Sequence, residues 1–116
     1  MSHSTPEVDV QAVAKLREEQ ADFLLLDVRE ESEFSIAAID GSFLLPMSQL
    51  RLRFAELEPH RDRLIIVHCH HGVRSMQVAD ALREQGFSNV QSMKGGIDEW
   101  SLDVDSSVPR YGSRSS

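Results

Sequence analysis

Leu64-Ile65-Ile66-Val67-His68-Cys69-His70-His71-Gly72-Val73-Arg74-Ser75 is the stretch whose reading decides the fold. Its first four residues are aliphatic without alternation, the pattern of a strand covered on both faces. From Ser75 onward, Val78, Ala79 and Leu82 recur at helical spacing, and Gly86 supplies a C-terminal stop. A strand that passes through a tight loop into a helix is the building unit of a parallel α/β sheet. Upstream, Phe23-Leu24-Leu25-Leu26-Asp27-Val28 predicts a second strand buried on both sides, and residues 9–19 predict a helix with Asp9 as N-cap. Residues 30–38 contain a short helix, Asp40-Gly41 marks a turn, and Phe43-Leu44-Leu45-Pro46 reads as a brief strand stopped by its proline. Ser48 is placed to cap a helix through about Leu57, with Pro59 ending it. Downstream, residues 89–93 read as a strand, and Gly95-Gly96 leads into a last helix through Trp100, the natural core anchor.

Length and composition fit one domain of ordinary size: 116 residues, 41% hydrophobic and 27% charged. The expected division is an N-terminal extension over 1–7, the domain over 8–100, and a loosely attached Ser-, Asp- and Arg-rich tail over 101–116. A net charge of −7 argues against nucleic acid as a partner, and no apolar run is long enough to cross a membrane. Residues 1–7 lack the apolar stretch of a secretory signal. The single cysteine forms no internal disulfide, which points to a reducing, cytoplasmic setting.

That cysteine stands just past the carboxyl end of the clearest strand, where open α/β sheets bind their ligands. A loop curling from His70 through His71, Gly72, Val73 and Arg74 to Ser75 turns its amides inward at a helix N-terminus and forms a nest for an anion. An ordinary thiol, with pKa about 8.5, is only a few per cent thiolate at neutral pH. The helix terminus, the inward amides and the Arg74 guanidinium all favour negative charge on the sulfur. Arg74 opposes the helix dipole where it stands, which implies an anionic partner.

Four motifs in order carry a family resemblance: Leu26-Asp27-Val28-Arg29 with Glu33-Phe34; Cys69-x-x-Gly72-x-Arg74-Ser75; residues 81–90; and Met93-Lys94-Gly95-Gly96-Ile97-Asp98-Glu99-Trp100. Together they resemble the rhodanese family of sulfurtransferases over about residues 8–100. The resemblance implies a three-layer α/β fold with a central, mostly parallel sheet flanked by helices. It implies transfer of a sulfane sulfur from thiosulfate or a persulfide to a thiol, cyanide or protein-thiol acceptor, with no cofactor. Cys69 would be the nucleophile, the loop from His70 to Ser75 would hold the persulfide, and Arg74 would orient an anionic donor. Asp27 and Arg29 would organise the loop. The sequence departs from the family at Ala37-Ala38, where a glycine-histidine pair is usual.

Other readings of the same residues are weaker. His68, His70 and His71 sit too close on one tight loop to converge on a metal, and only His3 and His60 remain elsewhere. Cysteine phosphatases place five residues between cysteine and arginine; His70, His71, Gly72 and Val73 make four here, a narrower cup suited to one sulfur atom. A non-catalytic module, or a carrier delivering sulfur to a dedicated partner protein, is the alternative within the same fold.

Overall fold

The computed structural model describes residues 5–112, and within them the apolar runs assemble one parallel sheet. Its strands are β1 (Glu7–Val8), β2 (Phe23–Asp27), β3 (Phe43–Leu44), β4 (Leu64–His68) and β5 (Val90–Met93), in the order β1-β5-β4-β2-β3. Every pairing is parallel, and β2 and β4 run side by side over five residues, from Phe23 opposite Leu64 to Asp27 opposite His68. The helices are α1 (Val10–Glu18), α2 (Glu31–Ile36), α3 (Leu50–Arg53), α4 (Val73–Glu84) and α5 (Gly96–Asp103). None is long and apolar enough to cross a membrane.

Successive strand residues point to opposite faces, so each continuous apolar run feeds two cores. Leu26, Ile65 and Val67 pack with Leu82 of α4, Leu57 and Phe87 on one side of the sheet. Leu25 and Ile66 pack with Val10 and Val13 of α1, and with Ile97 and Trp100 of α5, on the other. The result is the three-layer arrangement expected from the sequence.

Local chemistry explains most element ends. Asp9 Oδ1 accepts the Ala12 amide at 2.8 Å and caps α1 as expected. Ser48 does not cap a helix. Its hydroxyl donates to Glu30 Oε1 at 2.8 Å, and residues 47–49 and 54–60 coil as tighter 3₁₀ turns around the single turn of α3. Pro59 lies inside the second of these turns.

Two segments gain structure that periodicity did not announce. Residues 7 and 8 pair with Ser92 and Met93, adding an edge strand too short to carry a pattern of its own. The chain after Trp100 continues as α5 to Asp103, and Val108, 8% exposed, then joins the core beside Trp100. The isolated apolar residues Val108 and Tyr111 fasten this otherwise polar stretch to the domain.

The end of β2 carries the most demanding polar group in the interior. Asp27 and Arg29 are both fully buried and joined by a fork, with Arg29 Nη2 donating to Asp27 Oδ2 at 2.6 Å and Nε to Oδ1 at 2.9 Å. The remaining guanidinium hydrogens go to the Ala37 carbonyl at 2.8 Å, the Glu33 carbonyl at 3.4 Å and the Tyr111 hydroxyl at 2.9 Å. Such a pair is tolerated in a low-dielectric interior only because every donor is used. Arg29→Met strands the Asp27 carboxylate, and an equilibrium urea titration is expected to show a loss of about 3–5 kcal/mol. A loss under about 1 kcal/mol, the value of an exposed pair, would contradict this account of the pair.

Candidate active site

Cys69 follows the last residue of β4 and is 1% exposed. Two amides of the following loop donate to its sulfur, Gly72 N–H at 3.1 Å and Ser75 N–H at 3.2 Å. The N-cap of α4 is Gly72, which has no side chain to satisfy the first-turn amides. The cysteine sulfur does so instead, occupying the place of a capping side chain. Gly72 takes φ +110°, a conformation that L side chains rarely adopt, and this bend brings the α4 terminus over the sulfur.

The Ser75 hydroxyl lies 3.6 Å from the sulfur and 2.7 Å from the Ser92 hydroxyl of β5. A thiol donates to it; a thiolate receives a hydrogen bond from the same hydroxyl after a simple rotation. Ser92 thus supports the loop from the neighbouring strand, a contact invisible in the sequence.

The amides face inward because the carbonyls are engaged outside. Ile97 N–H donates to the Cys69 carbonyl at 2.9 Å and Asp98 N–H to the His70 carbonyl at 3.1 Å. These are unsatisfied first-turn amides of α5, so the helix start and the loop complete each other. The approach is close enough that a Cβ on Gly96 would meet the Cys69 carbonyl oxygen at 2.5 Å and would press on the His70 carbonyl as well.

Arg74 is where its opposition to the helix dipole pointed, with an anionic partner, and that partner is internal. Its two terminal nitrogens fork onto Glu33 at 2.7 and 2.8 Å. Burial would raise the Glu33 carboxyl, but the Arg74 fork and the Glu30 amide bring it down to about 2. The Glu33 hydrogen bonds in turn hold the Arg74 charge firmly in place. Sequence reading gave Glu33 only as part of the first motif and did not pair it with Arg74, from which it lies 41 positions away and to which α2 brings it.

The remaining expected site residues divide. His70 is 1% exposed, with its ring 4.0 Å from that of His71 and stacked on Tyr111 at 4.1 Å and 10°. His71 turns outward, its Nδ1 4.0 Å from Asp98, and Val73 is 60% exposed. Asp27 and Arg29 sit behind the loop, and Arg29 binds the Glu33 carbonyl of α2 and the Ala37 carbonyl at its C-cap; their link to the cysteine strand is through His68, whose Nε2 lies 3.8 Å from Asp27 Oδ2. Burial holds the His68 imidazole below its ordinary value despite Asp27, and the Asp27 carboxyl, which burial alone would raise, is held down by His68 and Arg29. Among the described residues no three His, Cys, Asp or Glu side chains gather as a metal site. His3 lies outside the described residues.

An open depression of about 460 Å³ leads toward the loop between Glu30, Glu33, His70, Arg74 and Tyr111. Cys69 is behind its wall. The arrangement can therefore stabilise negative charge on one buried sulfur, and the loop residues His70 and Arg74 that follow it line the depression.

Comparison with known proteins agrees with this architecture. Residues 9–103 match the Rhodanese-like domain. The chain belongs to that family. It is 46% identical over 77 residues to thiosulfate sulfurtransferase GlpE of Haemophilus influenzae, covering 66% of this chain and 71% of that protein. It is 41% identical over 91 residues to rhodanese-like/PpiC domain-containing protein 12 of Arabidopsis thaliana, covering 75% of this chain but only 30% of that longer protein. The crystal structure of a rhodanese-related protein from Thermoplasma volcanium superposes with a TM-score of 0.73 at 32% identity, over 85% of this chain and 93% of that one.

Two outcomes test this rhodanese-like loop. Gly96→Ala forces α5 off the loop carbonyls, and thermal unfolding is expected to register a loss of about 1–3 kcal/mol, as for other overpacked sites; an unchanged midpoint would contradict the close approach. Glu33 ionises near 2 in the fold against 4.5 when free, so its stabilising effect is complete above pH 4.5 and vanishes as pH falls toward 2. Glu33→Gln is expected to flatten the acid limb of a stability-versus-pH curve across that window. An acid limb of the same slope would show that the fork does not couple to folding.

Proposed function

We propose that this domain transfers a sulfane sulfur through a persulfide on Cys69. The observation that carries the reading is the pair of amides from Gly72 and Ser75 aimed at one buried sulfur at the start of a helix. The family, which includes a protein named thiosulfate sulfurtransferase, supports it.

With thiosulfate as donor, the Cys69 thiolate attacks the outer sulfur. The new Cys69–sulfur bond forms as the bond to the sulfonate sulfur breaks, and sulfite leaves with that electron pair. The enzyme now carries a persulfide anion, whose charge the α4 terminus and the loop amides offset. A nucleophilic acceptor, cyanide or a thiolate, then attacks the terminal sulfur. The sulfur–sulfur bond breaks toward Cys69, the thiolate is regenerated, and thiocyanate or a new persulfide departs. No metal, reductant or proton relay is needed for this balance.

Arg74 is the cation nearest the entry, and its fork to Glu33 sets its position. Its charge is paired with the Glu33 carboxylate, which anchors the guanidinium where an anionic donor enters. Desolvation of the sulfur, 1% exposed, strengthens every one of these interactions.

Intact-mass spectrometry provides the direct test. Incubation with thiosulfate is expected to add one sulfur atom, about 32 Da, removable by cyanide or a thiol. Cys69→Ser is expected to keep the fold, seen by circular dichroism, and to lose both the adduct and thiocyanate formation. Sulfur transfer at full rate in Cys69→Ser would refute the mechanism. A folded wild-type protein that takes no adduct from thiosulfate or from a persulfide donor would favour a binding module.

A further inference from the structure

The polar stretch after α5 crosses the site. Val108 seats its near end in the core, Arg110 forks onto Asp98 at 2.8 and 3.1 Å, and Tyr111 closes over His70 with its ring nearly parallel to the imidazole. The Tyr111 hydroxyl accepts from Arg29 Nη1 at 2.9 Å and donates to Glu33 Oε2 at 3.1 Å. One hydroxyl therefore joins the buried Asp27–Arg29 pair to the Glu33–Arg74 fork at the mouth. His70, beneath this cover, is 1% exposed, and so is its chain neighbour Cys69.

We propose that residues 108–112 form a strap, latched by Tyr111, that sets the size of the reagent able to reach Cys69. With the latch shut, small anions and small thiols enter through the depression beside Arg74; a thiol borne on a protein, or any bulky acceptor, requires the strap to lift. The donor and acceptor classes rest on the sulfur-transfer reading above, whereas the control of access does not. Burial pushes the Tyr111 hydroxyl up to about 12, and Glu33 ionises near 2, so both latch partners keep their states across neutral pH. The latch answers to competition for its hydrogen bonds and its stacking surface.

Cys69 is the only cysteine, so alkylation reads access to it without ambiguity. The full chain, Tyr111→Phe and Tyr111→Ala are each treated with iodoacetamide and with its fluorescein conjugate, which share one reacting carbon and differ in bulk. The ratio of the two rates cancels any change in the nucleophilicity of the sulfur. The ratio, bulky over small, is expected to rise about tenfold in Tyr111→Ala, which loses the stack and both hydrogen bonds. A smaller rise is expected in Tyr111→Phe, which keeps the stack. Equal ratios in all three folded proteins overturn the strap. A thiosulfate adduct with equal ratios removes the strap alone, and a raised ratio in a protein that accepts no sulfur removes the sulfur chemistry while the access role stands.

Discussion

A helix start leaves amides without partners, and in this domain two such starts meet at one loop. The first amides of α5 take the carbonyls of Cys69 and His70, and an amide of the first turn of α4 goes to the sulfur of Cys69. Both arrangements depend on the absence of a side chain, at Gly96 for the approach and at Gly72 for the turn. The loop cannot relax to turn its amides away, because doing so would leave buried carbonyls and helix-end amides unsatisfied together. The anion-receptive cup is thus a by-product of how two helices are capped. Its preorganisation costs nothing further when charge develops on the sulfur.

Around this loop runs a chain of polar groups that starts at the carboxyl ends of β4 and β2. It passes from His68 to Asp27, through Arg29 and the Tyr111 hydroxyl to Glu33, and ends at Arg74. Positive and negative members alternate beyond His68, so the buried charges compensate one another, and the shortest link lies where water is fully excluded. A disturbance at either end is felt through shared hydrogen bonds, because Arg29 and Glu33 each serve more than one partner.

The sheet, the helices on its two faces and the cysteine loop were legible because they are written in short-range patterns. Unbroken apolar runs at residues 23–26 and 64–67 mark buried parallel strands, and Asp9 marks a helix start by local chemistry, whereas α4 begins at Val73, two residues before the Ser75 expected from periodicity. The contacts that finish the site join residues far apart in the chain. Glu33 meets Arg74 across 41 positions, and Tyr111 meets Glu33 across 78. Periodicity says which face of an element is covered and is silent about which distant side chain covers it. Tyr111 carried one faint signal, as the one aromatic residue after Trp100. Ser48 misled for a related reason: a hydroxyl that suits an N-cap equally suits a carboxylate, and Glu30 was within reach.

The sheet ends on both sides in strands of only two residues, β1 and β3. Long exposed strands present free backbone groups that another chain can extend into a continuous ribbon. Here each margin offers too few such groups to template that growth, while the apolar central strands are sealed between helices. A domain so bounded resists the sheet-to-sheet polymerisation that threatens β-rich proteins when crowded.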